Sequence, residues 1–260
     1  MTMHYVRRGA GKPLLLIHGL GGTWQSFGPI IDGLATHREV IALDLPGFGQ
    51  TPPLPGEVSI ATLTDAVSAF MDEMDLTDVD TVGSSMGARM ALELARRGVG
   101  GHTVALDPGG FWNDTEVRVF GASLRASIKL VRALKPALPT LTGNPATRSL
   151  LFAQFSARPW ALSQEVTLRE LRSFVAAPSF DPALDALVDG PLQQGAPAGA
   201  TPGRVIIGWG RHDRVTPPRQ AARAIQAFPD ARLHWFPHSG HFPMWDVPEA
   251  TIGLILTSTA

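Results

Sequence analysis

A chain of 260 residues with 44% hydrophobic types, 27 glycines and 22 prolines is long enough for one compact domain with a sizeable core, which excludes disorder and a collagen-like repeat. Charged residues make up 17% of it and the formal net charge is -1, so there is no basic field to hold a nucleic acid by counterion release. With no cysteine, a disulfide scaffold, a thiolate nucleophile and a cysteine-ligated metal are excluded as well.

At the N-terminus Arg7, Arg8 and Lys12 precede an apolar stretch of only residues 14–17, which reads as a strand and not as a signal peptide. No later run is long enough to span a membrane, and the expectation is a soluble, cytoplasmic protein. Residues 9–12 read as a hairpin turn. Residues 40–43 form the next strand, and Ile60, Leu63, Val67, Phe70, Met71 and Met74 then fall at helical spacing. A short strand at 80–82 feeds a helix at 86–97, rich in Ala, Leu, Met and Arg and stopped by Gly98. Another strand follows at 103–106. This alternation predicts an α/β fold with a mostly parallel sheet. From residue 111 to 190 the pattern turns helical and is broken by Pro136, Pro139, Pro145, Pro159, Pro178 and Pro182, so the segment reads as a helical cap inserted into a core made of residues 1–110 and 191–260. Residues 191–203 are a loop, 205–207 a buried strand, 218–228 a helix, 233–236 a last strand and 248–256 a closing helix.

Residues 83–87 read G-S-S-M-G and place Ser85 at the centre of G-x-S-x-G between a strand and a helix. A sharp turn there tolerates only small neighbours and exposes the serine hydroxyl above the sheet edge. A hydroxyl needs a base within hydrogen-bond reach and a third group to orient that base. Of eight histidines, His241 in H-S-G-H-F-P lies in a loop after the last strand, where it can turn back over the sheet; His238 is three residues away. Two carboxylates follow strands at their C-terminal ends, Asp213 in G-R-H-D and Asp107 in L-D-P-G-G, and either could orient the base.

Four motifs together resemble the α/β-hydrolase superfamily along residues 4–256: L-I-H-G-L-G-G at 16–22, D-L-P-G-F-G at 44–49, the G-S-S-M-G elbow, and the pair G-R-H-D and G-H-F-P. The resemblance implies an α/β-hydrolase fold with a helical cap, a serine esterase or lipase-like activity without a cofactor, and a triad of Ser85, Asp213 and His241. It also implies an oxyanion hole from the backbone amides of Leu20 and Met86. Two fixed amides, one at a helix N-terminus, stabilise the charge that acyl transfer builds on a carbonyl oxygen. His18 and Asp44 are read as loop braces, and Trp24, Trp112 and Phe242 as candidates to line the substrate pocket, with Phe111 and Trp245 nearby.

Competing readings fail on spacing. G-x-G-x-x-G is absent after Gly19, where Trp24 stands in place of the third glycine, and Pro13 replaces the Ser or Thr of a phosphate loop. A zinc site from His234, His238, His241 and Asp213 would need His234 to leave its strand and His241 to leave the triad. A serine at the elbow disfavours the dehalogenases and epoxide hydrolases of this fold, which use a carboxylate there. Carbon–carbon hydrolases of ring-cleavage products typically show G-G-G-P-G and an Asn before the nucleophile, whereas this chain has G-L-G-G and Ser84. Hydrolysis of a small or medium acyl ester, with lactones and thioesters fitting equally, is the expected reaction. The alternatives are carbon–carbon cleavage and a non-catalytic binding protein. In the cap, nine Lys or Arg stand against four Asp or Glu between Phe111 and Phe180, and residues 116–135 form a basic amphipathic helix.

Overall fold

The computed structural model describes residues 2–260. Its elements run in chain order as β1 (Tyr5–Arg8), β2 (Pro13–Ile17), α1 (Gly28–Ala35), β3 (Glu39–Leu43), α2 (Ile60–Glu73), β4 (Asp80–Ser84), α3 (Met86–Arg96) and β5 (Thr103–Leu106). Five helices follow: α4 (Asp114–Ala133), α5 (Leu138–Gly143), α6 (Pro145–Phe152), α7 (Gln164–Ala176) and α8 (Phe180–Asp189). The chain then returns to the sheet with β6 (Val205–Gly210), α9 (Ala221–Ala227), β7 (Arg232–Phe236), α10 (Pro243–Asp246) and α11 (Pro248–Ser258).

The seven strands form one sheet in the order β1-β3-β2-β4-β5-β6-β7, parallel except for β1. Because β3 lies on one side of β2 and β4 on the other, the winding reverses between β2 and β4. The loops leaving their C-terminal ends therefore face each other across a crevice, where open α/β sheets bind ligands. Leu14, Leu15, Leu16, Ile17, Val82, Val104 and Ile207 are buried to below 1%, as parallel strands covered on both faces require. Among the described residues, no helix is long and apolar enough to cross a membrane.

One local expectation is corrected. Residues 9–12 do not close a hairpin, because β1 pairs with β3, which lies between it and β2. The basic helix is α4, capped by Asn113, whose side chain accepts from Thr115 N and Glu116 N. Its charge is answered by α8: Arg125 pairs with Asp185 at 2.7 Å and Arg132 with Asp181 at 2.9 Å. Those aspartates lie just beyond the stretch over which the basic excess was counted, so part of that excess is paired at a helix–helix contact.

Candidate active site

The site begins with two glycines that bring backbones together. A Cβ on Gly83 would lie 2.1 Å from the Gly87 carbonyl oxygen, and one on Gly87 would lie 2.1 Å from the Ile17 carbonyl oxygen. Only glycine permits α3 to start so close to β2 and β4. The turn between β4 and α3 forces Ser85 to φ 56° and ψ -113°, a conformation rarely adopted by a residue with a side chain. Its own amide is anchored on the Leu106 carbonyl at 2.9 Å.

Ser85 Oγ donates to His241 Nε2 at 2.8 Å, and His241 Nδ1 donates to Asp213 Oδ2 at 2.9 Å. Three further donors saturate Asp213: Val215 N (2.7 Å) and Thr216 N (3.0 Å) at Oδ1, and the Thr216 hydroxyl (2.6 Å) at Oδ2. Burial opposes charge on Asp213, but His241 and the hydroxyl of Thr216 outweigh it and hold the carboxyl below its usual range. The loop carrying His241 is tied down from both sides. His241 N donates to the Phe155 carbonyl at 2.8 Å, while Asp246 Oδ2 accepts from Gly240 N and Ala157 N.

Asp107, the other candidate carboxylate, lies within 4.8 Å of Asp213 and His241 and is fully buried, with φ 49°. Its Oδ1 accepts from Gly210 N at 2.8 Å, and its Oδ2 has no hydrogen-bond partner. Burial and the neighbouring Asp213 charge push Asp107 well above the ordinary carboxylate range, the opposite direction from Asp213. The His241 ring is thus held by Asp213, with Asp107 beside that pair.

Opposite Ser85 runs the loop from His18 to Phe27. A Cβ on Gly19 would come within 3.0 Å of Ser85 Cβ, which measures how closely the loop passes the hydroxyl. The Gly19 carbonyl accepts from Gly22 N (3.1 Å) and from His18 Nδ1 (2.7 Å), which fixes the peptide plane that carries the Leu20 N–H. His18 Nε2 accepts from Leu45 N at 2.9 Å, so the ring is the Nδ1–H tautomer. Complete burial lowers its pKa to about 4 and keeps it neutral near pH 7. Asp44 braces the same region, accepting from Trp24 N (2.9 Å) and Gln50 N (3.0 Å). Among the described residues, neither Leu20 N–H nor Met86 N–H, the first amide of α3, has an acceptor in the protein.

A cavity of about 370 Å³ opens over Ser85 and His241. Its walls come from Leu124, Ile128 and Val131 of α4, from Leu171 and Phe174 of α7, and from Phe155 and Phe242 among others. No Asp, Glu, Lys or Arg lines it. Leu130 and Leu150 line it and are also exposed, so the cavity reaches water on their side.

The model of the alpha/beta hydrolase family matches residues 14–254. The chain belongs to that family. It is 32% identical over 255 residues, 93% of its length, to the dihydrolipoyllysine-residue acetyltransferase component of the acetoin cleaving system of Cupriavidus necator, and spans 62% of that longer protein. It is also 27% identical to a 2-hydroxy-6-oxo-6-phenylhexa-2,4-dienoate hydrolase from Burkholderia cepacia, over 95% of this chain and 87% of that one. The fold is similar to that of a thermophilic esterase from Thermogutta terrifontis, with a TM-score of 0.78 at 19% identity over 98% of this chain and 92% of the esterase.

In this α/β hydrolase the aromatic candidates divide. Phe242 lines the cavity, with its ring 4.8 Å from that of His241. Trp112 does not, because it stacks on Phe120 at 4.7 Å and is buried in the packing between the core and α4. Trp24 faces a separate groove beside Arg169 and Arg172, and the Arg8 guanidinium lies over its ring. Phe111 packs on Phe228, and Trp245 donates to the Ser26 carbonyl at 3.0 Å. Of the histidines considered for zinc, His234 packs edge-on against Phe236 in β7 and His238 is exposed; the carboxylates beside His241 are Asp213 and Asp107. Sequence reasoning overlooked Phe155, Phe174 and Phe180 as cavity residues. Their only signal was aromatic content within the inserted helices, which packing would explain equally.

Proposed function

We propose that this chain is a serine hydrolase of carboxylic esters with a small or medium, uncharged and apolar acyl group. Ser85 is the nucleophile, His241 the general base and acid, and Asp213 the orienting carboxylate. The N–H groups of Leu20 and Met86 form the oxyanion hole, and residues 111–190 act as a cap on a core of residues 1–110 and 191–260. Lactones and thioesters of the same shape fit the same chemistry.

Ser85 Oγ attacks the acyl carbon while its proton passes to His241 Nε2 across the 2.8 Å hydrogen bond. The imidazolium so formed is stabilised by the ionised Asp213 at Nδ1. Charge building on the carbonyl oxygen meets two fixed amides and needs no reorganisation of water. The Nε2 proton then goes to the departing alkoxide, leaving the acyl group on Ser85. Water adds to that ester, giving its proton to Nε2, and expulsion of Ser85 Oγ with return of the proton releases the acid.

The observation that carries the choice of substrate is the cavity wall. Burying a carboxylate without a partner is costly, and no cation lines the cavity to receive one, as a dienoate would require. A volume of about 370 Å³ is at the small end for small-ligand sites, which span about 300–1,000 Å³. The test is to measure kcat/KM on p-nitrophenyl butyrate and octanoate beside 2-hydroxy-6-oxo-6-phenylhexa-2,4-dienoate. The esters are expected to exceed the dienoate by at least about 100-fold, the scale of a buried charge left unpaired. The reverse order assigns the chain to carbon–carbon cleavage.

A further inference from the structure

Helix α7 touches the loop that carries the Leu20 amide at three successive points. The Ser173 hydroxyl donates to the Gly21 carbonyl at 2.6 Å, Ser26 Oγ donates to Glu170 Oε2 at 2.8 Å, and Arg169 Nη2 donates to the Gln25 carbonyl at 3.1 Å. Residues 169, 170 and 173 share one helix face, and the bonded positions 21, 25 and 26 span the turn that follows Leu20. Gly21, at φ +75°, has no room for a side chain, since a Cβ there would lie 2.6 Å from the Phe174 ring and 2.8 Å from that of Phe180. Among the described residues, Ser173 is the only hydrogen-bond donor to the Gly21 carbonyl. Between two glycines that peptide has little local resistance to rotation. On the neighbouring face of α7, Leu171 and Phe174 line the substrate cavity.

We propose that Ser173 is a positioning residue for the oxyanion loop. Through the Gly21 carbonyl it locks the turn that aims the Leu20 N–H at the reacting carbonyl, so that α7 and this half of the oxyanion hole move as one body. An acyl chain packed on Leu171 and Phe174 presses on the same helix, and filling the cavity therefore steadies the amide. This rests on the reading of Ser85 as nucleophile and of the Leu20 amide as an oxyanion donor. The consequence is that acyl chains long enough to reach α7 raise kcat as well as lower KM, because part of their binding energy goes into holding the transition-state contact.

The parent, Ser173→Ala, Ser173→Cys and Ser173→Thr are compared on p-nitrophenyl acetate, butyrate and octanoate, and on an ester and its thionoester of the same skeleton. Ser173→Ala is expected to lose roughly 10- to 100-fold in kcat with KM within about twofold, the range for a misplaced but present oxyanion donor. Threonine, which keeps the hydroxyl, restores the rate; cysteine, nearly isosteric but a poor donor, falls between. The preference for the oxygen ester over the thionoester narrows in Ser173→Ala, since an oxyanion contact discriminates between those atoms and a loss of packing does not. The rise in kcat from acetate to octanoate flattens in the same variant. An active parent with all four proteins alike in kcat and in oxygen-to-sulfur preference overturns this inference alone. So does a Ser173→Ala or Ser173→Cys protein that loses rate without any change in that preference. A parent that neither hydrolyses the esters nor is labelled by a fluorophosphonate overturns the serine-hydrolase reading itself.

Discussion

Replacing Glu170 by glutamine is expected to change how stability depends on pH. Glu170 is fully buried between α7 and the loop that follows β2; one of its oxygens accepts from Ser26, and the other has no hydrogen bond. Burial raises its carboxyl from 4.5 to about 7, against the opposing pull of Ser26 and Arg169. Between those values the folded protein retains a proton that the unfolded chain releases, so stability is fully present below about 4.5 and falls as pH rises toward 7. At about 1.4 kcal/mol per pH unit this amounts to about 3 kcal/mol, or roughly 6–12 °C in Tm for a chain of this size. Glutamine keeps the acceptor for Ser26 and cannot ionise. Thermal unfolding followed by circular dichroism from pH 4.5 to 8.5 is expected to show parent and variant converging at the acid end and the variant more stable by roughly that amount at pH 8. Because other groups also titrate, the diagnostic quantity is the difference between the two curves. Parallel curves, or a variant less stable at pH 8, refute the assignment of a neutral buried carboxyl at this position.

Asp107→Asn is expected to keep kcat within about tenfold, because burial and the Asp213 charge already disfavour ionisation there and the amide oxygen still accepts from Gly210 N; Asp107→Leu, which removes that acceptor, loses more, as read from a kcat/KM profile against pH. Gly87→Ala places a methyl against the Ile17 carbonyl at a contact between backbones, where nothing flexible can yield, and is expected to cost about 3 kcal/mol or more in urea unfolding, or to prevent soluble expression. Ile128→Trp fills part of the cavity wall and is expected to shift the ester optimum to shorter acyl chains with little change in kcat for acetate, checked on a chain-length series.

Much of the fold was legible because parallel strands, buried on both faces, appear as short apolar runs, and because Gly83 and Gly87 bracket Ser85 at a spacing that only a sharp strand-to-helix turn explains. The strand expected at 205–207 is β6, buried throughout for this reason, while the one expected at 233–236 is β7, a partly buried edge strand. Helix α1 was not anticipated, since Gly28, Pro29 and Gly33 weaken the local helical signal and burial of Ile30, Ile31 and Leu34 supplies what propensity does not. The pairing of β1 with β3 depends on the register of an edge strand, and no local residue encodes it. At the site, Ser85, Asp213 and His241 stand in recognisable motifs, but Asp107 and Asp213 presented themselves as rivals, whereas the fold sets them side by side with their carboxyls shifted in opposite directions. Of the aromatic candidates, Phe242 lines the cavity and two do not, for a related reason. Trp24 and Trp112 are adjacent in sequence to motif loops, whereas the cavity wall is built by residues such as Phe155 and Phe174 that packing of the inserted helices brings there.

The most direct test of the account is hydrolysis of p-nitrophenyl esters from acetate to palmitate by the parent and by Ser85→Ala. Turnover confined to short and medium chains, with kcat lowered at least about 10³-fold in the variant, is the expected result. Equal rates in the two proteins, or activity on palmitate alone, would contradict it.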